Sequence, residues 1–216
     1  MKLQNPPQVS ISRIHQSIRI PQYIEDAYRQ EHRRYHDYYH IQYMLDLLAN
    51  TQFNPESLAP MLYTSIAWAV MYHDYVYNVP DPDKQNEELS AQAFEDHFAH
   101  EHTPLVQYVA RAIRGTKTHI ILDEEIDKFY FIIASHLFDL DLWALGDETI
   151  YKRNNYLIQQ EVGVDDEQWA VGRSAWLESF MARQRIYYTE LGQSRESSAR
   201  KILEADYKQL QSVLGK

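Results

Sequence analysis

The stretch "PMLYTSIAWAVMYHD", Pro60 to Asp74, constrains the fold most, because it is apolar on most sides whereas a surface helix is apolar on one. It reads as a central buried helix, with Asn54 upstream as a cap candidate. His73 and Asp74 stand at its C-terminal end. An ionised aspartate beside a largely buried segment is expensive unless it is paired or bound to a cation.

Helical patterns occupy most of the remaining chain. After Pro21, "QYIEDAYRQEHRRYHDYYHIQYMLDLLAN" reads as one long or broken helix with Ile41, Met44, Leu45 and Leu48 on a buried stripe and an end near Asn50. "NVPDPDK", Asn78 to Lys84, is a Pro and Asp loop before a helix on "NEELSAQAFEDHFAHE". "TPLVQYVARAIRG" has a Thr cap, Pro at the first helical position, Gly at the end, and Leu105, Val106, Val109 and Ile113 on one face. "DEEIDKFYFIIASHLFDLDLWALG" is acidic at its start and apolar in its middle. Further helices are expected at about 147 to 161, 166 to 183 and 194 to 214, the last after a connector, "RQRIYYTELG". With only 6 Gly, 17 Tyr and few alternating β-branched runs, the chain is expected to be all-α, a helical bundle with the C-terminal helices packed on it. Residues 1–21 read as an arm, 22–146 as the helical core and 147–216 as a helical extension of the same domain. No internal repeat stands out.

The formal charge of −10 argues against a general binder of nucleic-acid backbones. The chain has no cysteine, so a metal would have to be held by His and carboxylate groups. The runs "SIAWAVMY" and "FYFIIASHLF" are shorter than the roughly 20 residues of a membrane-spanning helix. The N-terminus lacks the continuous apolar stretch of a secretory signal, so the expected location is the cytoplasm, without a membrane partner.

Ten histidines are present. His97, His100 and His102 lie in or after a polar helix end and read as solvated surface residues, as do His15 and His32. His136, in an apolar run, reads as a hydrogen-bonded core histidine. His36 and His40 are four residues apart, which places both rings on one helical face. "FDLDLWALG" sets Asp139 and Asp141 into an apolar stretch, where each needs an Arg partner, a metal or a capping role. Three helices thus offer His, His-Asp and Asp, an N and O donor set suited to a divalent Mn, Mg, Fe, Co, Ni or Zn ion.

On these residues the chain resembles the HD superfamily of metal-dependent phosphohydrolases, whose signature is a His on one helix, an adjacent His-Asp ending another, and a later Asp. It is similar in particular to a bacterial group that carries "YHN..H", "HD..Y", "NEE.SA" and "D.DL..LG" stretches. The matching segments are "YHDYYHI" at 35 to 41, "MYHDYVYN" at 71 to 78, "NEELSA" at 86 to 91 and "DLDLWALG" at 139 to 146, in the same order. Asp37 departs from the group's usual Asn. "GTKTH" at 115 to 119 and "FMARQRIYYTE" extend the likeness over most of residues 30 to 210.

The resemblance implies a metal site of His40, His73, Asp74 and Asp141. Asp139 is the alternative to Asp141, and His36 is the alternative to His40. His36 otherwise becomes a pocket residue one turn earlier, able to face a substrate phosphate or a second ion. It further implies hydrolysis of a phosphoester in a nucleotide or other small phosphorylated metabolite, with Asp74, His36 and Glu87 as catalytic groups and Glu87 orienting water. Lys117 and His119 would bind phosphate, and Arg183 and Arg185 read as surface residues that could line the pocket. A homodimer is compatible with this reading. Two rivals are a metal-binding sensor without turnover and a helical interaction protein whose His and Asp side chains form buried hydrogen bonds.

Overall fold

The computed structural model describes residues 19–49, 58–79, 85–122 and 127–215. Among them are ten α-helices and no strand, so the chain is all-α. The helices are α1 (Gln22–Tyr28), α2 (Tyr38–Ala49), α3 (Pro60–Tyr72), α4 (Asn86–His97), α5 (Pro104–Gly115), α6 (Lys128–Asp141), α7 (Glu148–Val162), α8 (Asp166–Met181), α9 (Glu190–Gln193) and α10 (Glu196–Val213). The chain forms two compact units that divide between Leu137 and Phe138, inside α6. The expected end of α2 at Asn50 and the Asn54 cap lie outside the described residues, as do Pro80 to Lys84 of the expected loop.

In the first unit α3 is the central helix and packs against α2, α4 and α5. Ten of its thirteen residues are buried. The hydroxyls of its buried Thr64 and Ser65 donate to the carbonyls of Pro60 and Met61, which lets polar side chains sit inside an apolar layer. Trp68 and Tyr72 meet Phe94 and Phe98 edge-on, at ring separations of 5.3 Å for Tyr72 and Phe94 and 5.0 Å for Trp68 and Phe98. His97 belongs to this aromatic layer. It stacks on Phe98 at 4.7 Å and its Nδ1 lies 2.6 Å from the Tyr72 hydroxyl, so it is not the solvated surface residue that the polar sequence around it suggests. A buried phenol needs a partner, and the last turn of α4 supplies one. His100 and His102 are exposed.

The long pattern from residue 22 to 49 is broken. α1 stops at Tyr28, and α2 restarts where the Asp37 carboxylate accepts from the backbone N–H groups of Tyr39 and His40, as a helix cap does. α5 starts as its sequence predicts, with the Thr103 hydroxyl accepting from Leu105 N and Pro104 at the first position, and all four stripe residues are buried. Arg114 binds Glu88 and Glu95 of α4 at 2.8 Å each, joining α5 to α4.

With the 3-10 turn Leu142–Gly146, α6 forms a 19-residue helical run, Lys128–Gly146, with an 18-residue stretch of mean hydropathy 1.3. It is longer than the apolar run alone, and by length and composition it could cross a membrane. Yet 61 % of that stretch is buried inside the protein, as in a core helix. His136 is half-buried and its Nδ1–H donates to the Ile132 carbonyl at 2.7 Å, the hydrogen-bonded histidine that the sequence implies. Burial holds its pKa below the ordinary 6.5.

The second unit is built on α7, α8 and α10, with Leu142, Leu145, Leu177, Phe180, Ile186 and Leu203 in its core. Asp147 and Asp165 cap α7 and α8, and Gly163, at φ 70°, ends α7 in the left-handed conformation that glycine adopts freely. The connector before α9 is held by two carboxylates. Asp139, fully buried, accepts from Tyr188 N, from Thr189 N and from the Thr189 hydroxyl at 2.6 to 2.8 Å. Glu196 accepts from Ile186 N and Tyr187 N. Burial pushes the Asp139 pKa up to about 6 against the pull of these hydrogen bonds. Gly192 packs directly on the Asp139 carboxylate and the Tyr187 side chain, leaving no room for a Cβ.

Gly192→Ala is therefore expected to lower stability by about 1–3 kcal/mol in urea unfolding, because the carboxylate it would strike is fixed by three donors. His136 generates a pH prediction. With its folded pKa depressed, the unfolded chain takes up its proton first, so stability is full above the usual histidine range and falls as pH drops through it. His136→Gln is expected to flatten the pH dependence of the unfolding midpoint between about pH 7 and 5.

Candidate metal centre

The C-terminal end of α3 and the start of α2 bring together three donor atoms. His73 Nε2 lies 3.2 Å from His40 Nε2 and 2.9 Å from Asp74 Oδ2, and His40 Nε2 is 3.9 Å from the same carboxylate oxygen. Both histidines are buried, at 8 % exposure for His40 and 1 % for His73, while Asp74 is half-buried. His40, His73 and Asp74 are the group among the described residues whose ligand atoms all lie within 4.8 Å of one another.

The hydrogen-bond pattern shows what the cluster can bind. His73 Nδ1 lies 2.8 Å from the Val70 carbonyl, an acceptor, so the proton sits on Nδ1 and Nε2 presents a lone pair. That lone pair faces a carboxylate oxygen. Two acceptors 2.9 Å apart attract each other only through a cation, either a proton or a metal ion. Ligands about 2.1 Å from one ion and at right angles to each other lie about 3.0 Å apart, and opposite ligands about 4.2 Å apart. The three separations fall in this range, and orientation of the ring through Nδ1–H on a backbone carbonyl is how metal-binding histidines are commonly held. The donor set therefore fits a divalent ion.

The neighbourhood of the cluster is aromatic. The His36 ring is 6.0 Å from that of His40 and stacks on Tyr77 at 4.3 Å, while Tyr35 is 4.8 Å from His40. Of the two histidines in "YHDYYH", His40 reaches the cluster and His36 lines its edge. Asp37, the departure from the resembled pattern, caps α2, a task that Asn and Asp perform alike.

Of the two acids in "FDLDL", Asp139 has both oxygens committed to the connector amides. Asp141 is the last residue of α6, partly exposed, and belongs to the second unit. Glu87, in the first turn of α4, has one carboxylate oxygen buried without a hydrogen-bond partner among the described residues. Lys117, exposed, and His119, half-buried, lie in the turn that closes α5, where His119 takes the uncommon φ of 52°. Arg183 is half-buried over the Phe180 ring, and Arg185 is exposed.

The supports of the cluster escape a reading by residue type, because they act on backbone. From Asp74 to Asn78 the chain leaves α3, with Tyr75 N still bonded to the Tyr72 carbonyl, and side chains hold other backbone groups of the segment. Asp74 N donates to the Tyr28 hydroxyl, and the carbonyls of Asp74 and Tyr75 accept from Arg33. Val76 N and O both bond the Ser90 hydroxyl, and Asn78 N and O both bond the Asn86 amide. Asn86 and Ser90 are four apart on α4, so "NEELSA" presents a two-pronged clamp to this segment. That spacing was the available signal. Nothing in it names a backbone partner.

No family model matches this chain, and no curated protein or solved structure matches it either.

Asn86→Ala and Ser90→Ala each strand two backbone groups of the clamped segment. Each is expected to cost about 1–3 kcal/mol of stability and to speed amide hydrogen exchange at Val76 or Asn78, read by mass spectrometry.

Proposed function

We propose that this protein is a metal-dependent phosphohydrolase of the HD type, cleaving a phosphoester of a nucleotide or other small phosphorylated metabolite. The observation that carries the reading is the convergence of His40 Nε2, His73 Nε2 and Asp74 Oδ2 at separations of 2.9 to 3.9 Å. These three side chains would hold a divalent Mn, Mg, Fe, Co, Ni or Zn ion. Such an ion supplies Lewis acidity, lowering the pKa of a water and polarising a phosphoryl group.

The chain's own residues have the following roles in this reading. His73, fixed by the Val70 carbonyl, keeps its lone pair turned inward, and Asp74 adds the negative charge that makes a cation favourable there. Glu87 orients the attacking water and accepts its proton, which suits a carboxylate oxygen that is buried and has no donor among the described residues. His36, at the edge of the cluster, faces the substrate phosphate, and Lys117 and His119 contribute charge and hydrogen bonds to it.

Elemental analysis of protein purified without chelator, beside Asp74→Ala prepared identically, tests the reading. Near-stoichiometric divalent metal in the parent and its loss in the variant are expected, with Asp141→Ala asking whether that carboxylate belongs to the set. Phosphate release across nucleotides and sugar phosphates, with Asp74→Asn as the control for contaminants, should then show a turnover that chelator abolishes. Metal without turnover on any phosphoester would favour a sensor. A parent that carries no metal even after loading and desalting would overturn the assignment.

A further inference from the structure

Arg33 lies in the link between α1 and α2 and is only 5 % exposed. Its Nη1 donates to the carbonyls of His36 and Asp74, at 2.9 and 2.8 Å, and its Nη2 to that of Tyr75 at 2.9 Å. Nε reaches the Gln30 side chain at 3.3 Å, and the guanidinium lies 4.7 Å from the Tyr28 ring and 5.4 Å from that of Tyr77. Among the described residues it pairs with no carboxylate. A buried cation served only by carbonyls and ring faces is an expensive way to fill space, and an apolar side chain would pack at lower cost. What the guanidinium provides is a planar fork that reaches several acceptors at fixed angles, which a lysine cannot reproduce.

The carbonyls it holds are informative. His36 is one turn before His40, on the lead-in to α2, and Asp74 is itself one of the three clustered groups at the end of α3. We propose that Arg33 is a positioning residue of the metal centre. Touching no ligand side chain, it ties the backbone that precedes His40 to the backbone that carries Asp74, and so sets the separation of His40 from the His73 and Asp74 pair. Tyr28 assists from the other side, with its ring under the guanidinium and its hydroxyl accepting from Asp74 N. This inference rests on the metal-centre reading above.

The test is Co2+ titration of the whole chain, reading both affinity and the visible absorption spectrum of the bound ion. It compares the parent with Arg33→Lys and Arg33→Gln, each checked for helical content. His73→Ala serves as the reference for a lost site, and Leu203→Ala, in the core of the second unit, as a destabilised control. The expected result is at least a tenfold loss of affinity and a changed spectrum for Arg33→Lys, a larger loss for Arg33→Gln, and parental values for Leu203→Ala. Folded Arg33 variants with the parent's affinity and spectrum, while His73→Ala binds nothing, would overturn the positioning role and leave the metal centre standing. A parent that binds no Co2+ would remove both. Collapse of both Arg33 variants, or an equal loss in Leu203→Ala, would make Arg33 a residue of the fold alone and overturn the proposal.

Discussion

Burying α3 on nearly every side creates a difficulty that the first unit is organised to meet. A helix that ends inside a protein releases its last carbonyls, and the chain leading away from it, into a place where water cannot satisfy them. Here the chain leaves through Asp74 to Asn78, and each of those residues has a backbone group held by a side chain, that of Tyr77 by His32. Arg33 and Tyr28 do this from the α1 side, and Asn86 and Ser90 from α4. The aromatic layer of Trp68, Tyr72, Phe94 and Phe98 then fixes α3 against α4, which keeps the clamp and the segment it holds in register. The same grips that satisfy the backbone hold His73 and Asp74 in place against His40.

Several carboxylates in this acidic chain serve backbone amides. Asp37, Asp147 and Asp165 cap helices, and Asp139 and Glu196 gather the amides of the connector before α9. In each case backbone N–H groups supply the positive end that the carboxylate faces. Asp74 Oδ2 instead faces the lone pair of His73 Nε2, an arrangement that favours a cation. The contrast separates carboxylates that gather backbone amides from one that faces a histidine lone pair.

Much was legible along the chain. Helix starts with a strong local signal, such as Thr103 and Pro104, are where the residues put them, and the stripes on α2 and α5 are buried as their spacing requires. His40, His73 and Asp74 are singled out by the resemblance to the HD pattern, and they converge in space. Less legible were the break between α1 and α2, where helical periodicity continues through a segment that Arg33 draws inward, and the packing of His97 against Tyr72 and Phe98. Polar neighbours in sequence concealed an apolar setting in space.

The sequence by itself determined the all-α class, the central buried helix and the types of ligand available, because periodicity, capping and side-chain chemistry are local properties. Only the tertiary structure decided that His40 rather than His36 meets His73, that Asp139 is spent on amides, and that Arg33, Asn86 and Ser90 hold the backbone that follows His73. Those outcomes depend on distances between segments far apart in the chain, and on backbone carbonyls and amides, which every residue carries and no residue type announces.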